Sequence, residues 1–275
     1  MKLAVLVPVH NGLDFTKNCI ENIGKLAAGI TETDFETRVV IINDGSTDGT
    51  TEWLAENGSE MEVLEGDGNL WWSGGINKGM EYAFEQLGAD YVLWWNNDVE
   101  ANPEYLKNLA LHIRETGEKT IIGSKIYIQS TRKVWSMGGY FDPRTGNKGM
   151  YGFQEEDGSQ FEKVFEADWL PGMGTCFSRK VYASAGLIDS KNFPQYHGDV
   201  EYTLRARDLG FQIRVFPDLI LLNDKSNSGV NHQDNFRRLW VTLTSLRSNY
   251  NLRKDILFYR KFASSGKAYR QLFQK

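Results

Sequence analysis

Apolar residues follow two rhythms along this chain. Short continuous runs, Leu3 to Val9, Arg38 to Ile42, Met61 to Leu64 and Tyr91 to Trp95, have the length and β-branched content of strands buried on both faces. Between them Leu13 to Leu26, Thr50 to Asn57 and Ile76 to Leu87 carry helical spacing. Strand and helix alternating in this way predict an α/β fold, a mostly parallel Rossmann-like sheet flanked by helices. From about Ile121 the pattern turns irregular and rich in glycine and aromatic residues, which suits hairpins and loops that build a second wall. A helix over Val200 to Leu209, a strand over Gln212 to Phe216 and a helical tail follow. With no repeat and no linker, the chain reads as one domain over residues 1–233, with halves 1–120 and 121–233, and a tail over 234–275.

In such sheets ligands bind beyond the carboxyl ends of the strands. The loops His10-Asn11-Gly12, Asp44-Gly45-Ser46 and Asn96-Asn97-Asp98 should therefore converge on one site. No Gly-x-Gly-x-x-Gly follows the first strand, which excludes a dinucleotide-binding dehydrogenase. A nucleotidyltransferase would need a loop rich in Gly, Arg and Lys there, and Pro8-Val9-His10-Asn11 is not one.

Four motifs in order, Pro8-Val9-His10-Asn11, Ile42 to Thr50, Asn96-Asn97-Asp98 and Asp199-Val200-Glu201 with Arg205-Ala206-Arg207, resemble glycosyltransferase family 2 over about residues 1–222. The resemblance implies the GT-A fold and an inverting transfer from a nucleoside diphosphate sugar. The donor would be UDP or dTDP linked, with a weak likeness to bacterial rhamnosyltransferases in Asn-Asn-Asp-Val. The acceptor would be a hydroxyl of a glycan or lipid-linked glycan in bacterial surface polysaccharide synthesis at the cell envelope. By the same resemblance Pro8, His10, Asn11, Asp44, Ser46, Asn69, Gly74, Asn77, Lys78, Asn96 and Asn97 would line the donor pocket. Asp98 would bind a divalent cation, Mn²⁺ or Mg²⁺, completed by substrate phosphates. Asp199 would be the general base, and Trp169, Gly172, Met173, Gly174, His197 and Glu201 would form the acceptor site.

The residues allow plainer roles as well. Asp44, Ser46 and Asp48 could cap the helix near Thr50, Trp71-Trp72 and Trp169 could pack in the core, and Glu201 could pair with Arg205. This chain also departs from the family pattern. Ile76 stands where relatives often have Arg, Gly198 where an acid commonly precedes the base, and Asn96 where Asp is frequent. Relatives place a metal-binding His after the strand ending near Leu222; here Asp224 or His232 would have to serve. These departures leave a non-catalytic nucleotide-sugar or glycan binding module as the alternative.

Composition narrows the setting. At 41% hydrophobic and 24% charged residues, the chain has the make-up of a soluble globular enzyme. Cys19 and Cys176 form no framework, which suits a reducing, cytoplasmic compartment. No apolar run reaches the roughly 20 residues of a membrane span. Charge is uneven: beyond residue 236 Asp255 is the single acid among many Lys and Arg, while the rest is acidic. An acidic body argues against nucleic acid. The basic tail would either lie on an anionic inner-leaflet surface or pack on the body or at a homodimer interface.

Overall fold

Residues 1–30, 35–223, 243–246, 248 and 250–272 are described by the structure, a computed structural model. The first strand, β1 (Lys2–Val9), pairs in parallel with β2 (Glu36–Asn43) and with β4 (Tyr91–Trp94), and β2 pairs in parallel with β3 (Glu62–Glu65). Side chains alternate across the sheet. Leu3, Val5, Val7 and Val9 therefore meet the face covered by helices α1 (Leu13–Ala28) and α4 (Tyr105–Thr116). Ala4 and Leu6 meet the opposite face with Ile76 and Met80 of α3 (Trp71–Glu81). Burial on both faces explains why these strands read as unbroken apolar runs.

Helix α2 (Thr50–Asn57) joins β2 to β3. Helix α3 begins five residues earlier than the apolar spacing predicts, and it ends in a π-helical turn over Tyr82–Gln86. Its glycines explain the difference. They lie inside the helix, where a Cβ on Gly75 would stand 3.0 Å from Pro8 and one on Gly79 2.9 Å from Ile42. They let α3 lie close against β1 and β2.

Past β4 the sheet continues with β11 (Thr175–Ser178), β6 (Thr120–Ile128), β12 (Gln212–Asn223) and β10 (Phe165–Glu166), in the order β10-β12-β6-β11-β4-β1-β2-β3. β11 runs antiparallel between β4 and β6, and β12 is parallel to β6. β12 outlasts its predicted end and pairs with β5 (Val99–Ala101) after an irregularity between Phe216 and Ile220. β7 (Val134–Ser136) borders β6, and the predicted second wall includes a hairpin of β8 (Gly139–Phe141) and β9 (Lys148–Met150). Helix α5 (Arg179–Ala185) follows β11, and α6 (Gly198–Asp208) precedes β12.

The tail folds onto the body. In helices α7 (Leu252–Phe262) and α8 (Gly266–Leu272), Phe258, Tyr259 and Leu272 join Phe141, Trp169, Phe193 and Leu204 in one apolar cluster. Tyr259 Oη donates to the Gly146 carbonyl at 2.7 Å. Both cysteines are buried free thiols, so no disulfide links them. Among the described residues no helix is long and apolar enough to cross a membrane.

Candidate active site

The loops after β1 and β2 are stitched to each other at the strand ends. Ser46 Oγ accepts from Asn11 N at 2.8 Å, Asn11 Oδ1 accepts from Thr47 N at 2.8 Å, and His10 Nδ1 lies 2.6 Å from the Asp44 carbonyl. Asn11 adopts φ 62°, a left-handed conformation that asparagine tolerates. Asp48 does cap α2, accepting from Thr50 N and Oγ1, and it ties down Leu13 N of α1 as well. Ser46 takes no part in that cap. Asp44 does not cap α2 either: its carboxylate accepts from Gly68 N at 2.8 Å and Trp71 N at 3.1 Å. It thereby fastens the segment that opens α3 onto the end of β2, and it is buried beside Gly66, where a Cβ would collide with it.

That segment carries Trp71 at φ 57° and then Trp72. Trp72 is both packed and polar. Its ring stands edge-on to Trp94 at 5.5 Å and rests on Gly172, where any Cβ would overlap it. Its Nε1–H donates to Asn96 Oδ1 at 3.0 Å, while its backbone N–H donates to Gln195 Oε1 at 3.2 Å. One side chain thus joins the end of β4 to the 170–174 turn. Asn69 sits exposed in a turn closed on Asp67, and Gly74 packs against Leu70. Asn77 is spent inside the protein, donating to and accepting from the backbone of Ile188 at 2.9 Å each. Lys78 Nζ holds the Glu65 carbonyl at 2.5 Å.

Beyond β4, Asn97 Nδ2 donates to Thr16 Oγ1 at 3.3 Å, and Asp98 follows in the turn before β5. The charge of Asp98 reaches Cys19 of α1, where burial first and then Asp98 push the thiol up to about 12. Among the described residues no three His, Cys, Asp or Glu side chains gather into a cation cage. Asp98 offers hard carboxylate oxygens, which suit Mg²⁺ or Mn²⁺ completed by water and phosphate ligands, while the amide oxygen of Asn96 is engaged by Trp72. Asp224 and His232 lie outside the described residues.

β11 returns antiparallel beside β4, with Gly174 N donating to the Trp94 carbonyl at 2.9 Å, so the 170–174 turn comes next to Asn96. Gly174 holds φ 68° and has no room for a Cβ against Ser124 and Leu221. Half-buried Met173 packs against the core. Gly172 N donates to Asp199 Oδ2 at 2.7 Å, and Val200 N to Asp199 Oδ1 at 2.9 Å. Burial raises the Asp199 carboxyl above its ordinary value despite these bonds and the charge of Lys148. Gly198 packs α6 against α3, because a Cβ there would overlap Ser73 Oγ.

Three expected acceptor residues turn inward. Trp169 is buried over Gly139 and donates to the Tyr140 carbonyl at 3.2 Å, which is the packing role. Glu201, 0% exposed, is held by Arg205 Nε at 2.7 Å and Lys261 Nζ at 2.5 Å. His197 faces Lys148 Nζ at 2.9 Å and Asp255 Oδ1 at 3.2 Å, and burial with the Lys148 charge lowers it to about 4. The sequence reading missed Lys148, Gln195, Lys254, Asp255 and Lys261. One available signal was Asp255, a lone acid in an otherwise basic tail.

A family model described as Glycosyl transferase family 2 matches residues 4–171. Over 85 residues the chain is 35% identical to "Uncharacterized glycosyltransferase YibD" of Escherichia coli (strain K12), a stretch that is 30% of this chain and 23% of that protein. Three solved structures are similar over 99% of this chain. GalNAc-T7 with UDP, GalNAc and Mn²⁺ has a TM-score of 0.63 at 11% identity, with 54% of its chain covered. S. aureus TarS 1–349 in complex with UDP-GlcNAc has 0.60 at 17%, with 70% covered. Mannosyltransferase PcManGT from Pyrobaculum calidifontis in complex with GDP-Man and Mn²⁺ has 0.59 at 13%, with 68% covered. At these identities the likeness is one of fold.

Proposed function

The chain belongs to glycosyltransferase family 2 and has the GT-A fold, and from that premise we propose that it is an inverting, cation-dependent transferase of one sugar from a UDP- or dTDP-linked donor. The acceptor is a hydroxyl of a glycan or lipid-linked glycan. What carries the reading is the position of Asp199. Its carboxylate is anchored on the Gly172 amide, Gly172 lies under the Trp72 ring, and Trp72 binds Asn96 two residues before Asp98. Through Trp72 the proton acceptor is thereby tied to the end of β4, the strand that leads into Asp98.

On this reading Asp199 takes the proton of the acceptor hydroxyl as that oxygen attacks the anomeric carbon. The bond from that carbon to the diphosphate oxygen breaks with its electron pair, and the nucleoside diphosphate leaves from the opposite face. A carboxyl raised by burial holds a proton more firmly than an exposed aspartate, which favours this role near neutral pH. Asp98 would hold the cation with the donor's phosphates, and the chemistry it supplies is neutralisation of the leaving diphosphate. The loops of His10, Asn11, Asp44 and Ser46 form the nucleotide side, and the amide of Gly172 faces the acceptor side. Arg253, Arg260, Lys267 and Arg270 are exposed on the tail helices and favour an anionic inner-leaflet surface, each contributing about 1 kcal/mol where it lies close to the lipid. Surface polysaccharide assembly is the setting that joins these features.

The test is donor hydrolysis and transfer over a panel of nucleotide sugars, with Mn²⁺ and with EDTA. One donor should be turned over with metal only, and Asp199→Asn should lower kcat by about 10²–10⁴. A chain that neither cleaves nor is stabilised by any donor would overturn the enzyme reading.

A further inference from the structure

Helix α7 meets the catalytic segment at three of its residues. Lys254, 1% exposed, sends its ammonium to the carbonyls of Gln195 at 2.7 Å, Ser248 at 3.0 Å and Leu246 at 3.1 Å, and it lies 5.0 Å from the centre of the Tyr196 ring. Asp255 Oδ1 accepts from Lys148 Nζ at 3.2 Å and stands 3.2 Å from His197 Nε2. Two turns on, Lys261 reaches Glu201. Residues 254, 255 and 261 of one helix thus oppose 195, 197 and 201, which bracket Asp199.

The bracketed segment is under strain. Tyr196 and His197 are consecutive non-glycine residues with φ of 61° and 65°, a conformation that costs roughly 1–3 kcal/mol each and persists only where the surroundings hold it. Buried charges are a poor means of adding stability, because desolvation offsets most of their attraction. Apolar side chains filling the same space would stabilise α7 as well. The charged set is better explained by what it aims and balances.

We propose that α7 is the positioning element of the catalytic segment: Lys254 pins the backbone at Gln195, and Asp255 holds His197 and offsets the charge of Lys148 beside Asp199. The inference rests on Asp199 being the general base. Because an ammonium can only donate, neutral His197 accepts from Lys148 through Nε2, and Lys148 bridges it to Asp255. Among the described residues, the charged groups of the elements packed around the Asp199 segment are Lys148 from the hairpin, Lys254, Asp255 and Lys261 from α7, and Glu201 and Arg205 on α6 itself. Burial works against the charge on Asp255, yet its contact with the Lys148 ammonium holds it below the usual carboxylate range. Removing Asp255 leaves the field of Lys148 at Asp199 unopposed, and removing Lys148 abolishes that field.

Carboxylate-carbon NMR titration of the full chain reads this directly, with the Asp199 resonance identified by its loss in Asp199→Asn. Asp255→Asn should lower the Asp199 pKa and Lys148→Met should raise it, each by at least about half a pH unit, the scale of one charge several ångströms away at an effective dielectric near 20. In transfer assays Lys254→Met should lower kcat about 10-fold or more with donor KM within about two-fold, as expected for a misaimed base. Titration shifts of one sign, or of none, overturn the proposal, and so does an unchanged kcat in Lys254→Met. Should that variant not fold, the Asp255→Asn and Lys148→Met pair decides alone. The titration needs no donor, so an inactive wild type would defeat the glycosyltransferase reading while leaving this measurement to stand.

Discussion

Replacing Gly198 by alanine tests whether α3 and α6 meet as tightly as the site requires. The added methyl would overlap Ser73 Oγ and stand 3.0 Å from Ile188 Cγ2 and 3.1 Å from the Phe193 carbonyl oxygen. Ser73 cannot swing aside freely, because its Oγ donates to that same carbonyl at 2.6 Å and its N–H donates to Pro194 at 3.0 Å. The first turn of α6 must therefore retreat. Overpacking of this kind costs about 1–3 kcal/mol, and because Gly198 is the first residue of α6 the helix-propensity gain for alanine is only part of the ~1 kcal/mol of an interior position, which leaves a net loss of up to about 2 kcal/mol. For a chain of this size each kcal/mol lowers Tm by about 2–4 °C, so melting followed by circular dichroism should show a drop of up to roughly 8 °C. Since Asp199 is the next residue and sits 2.7 Å from the Gly172 amide, kcat should fall about 10-fold or more as well. Adding Ser73→Ala removes the obstructing oxygen, and the double variant should be more stable than the sum of the singles by about 1 kcal/mol. A Gly198→Ala chain that melts at or above the wild type, or a strictly additive double variant, would refute the steric account. The same geometry leaves no room for an acid at this place, since an aspartate side chain would have to occupy the volume of Ser73.

Trp72→Phe keeps an aromatic ring in place but removes the donor to Asn96 and the outer part of the indole that lies over Gly172. It should cost about 0.5–1.5 kcal/mol in a melting experiment and lower kcat, and full activity would mean that this bond does not hold the end of β4. His197 is buried in its neutral form, with a pKa lowered from 6.5 to about 4. Its contribution is complete above the unfolded value, where neither state binds the proton, and is lost as pH falls from 6.5 toward 4, where the unfolded chain binds it first. The melting temperature of the wild type should thus fall more steeply across that window than that of His197→Gln, and parallel slopes would contradict the burial of a neutral ring.

The sheet was legible because its strands are written twice, once as apolar runs and once as polar loops at their ends. Leu3 to Val9 must be buried on both faces to be apolar at every position, and a strand so buried lies inside a parallel sheet. The start of α3 was not legible for the opposite reason. Trp71 to Gly75 offers no apolar stripe of its own, and its glycines answer to Pro8 and Ile42 far back in the chain, so local spacing marks the segment as loop. Helix α7 was partly legible: its charge is basic, and only its packing reveals that Lys254 and Asp255 point inward.

For the site the division falls between what a residue is and what it is free to do. Asp98 and Asp199 stand in the turn after a buried strand and in the first turn of a helix, element ends that apolar spacing and a motif can locate. Asn77, Glu201 and Trp169 carry equally plausible chemistry, but their hydrogen-bonding groups are taken by Ile188, by Arg205 and Lys261, and by Tyr140, partners that no local pattern announces. Asp44 shows how the two cases combine. Both of its oxygens accept from the 66–71 segment, so a nucleotide contacting it must share a carboxylate already engaged in holding that segment in place. Donor affinity and the aim of Trp72 are then linked through one side chain: Asp44→Asn would exchange an acceptor for a donor beside two backbone N–H groups and disturb both ends of the chain of contacts that runs from the β2 loop through Trp72 and Gly172 to Asp199.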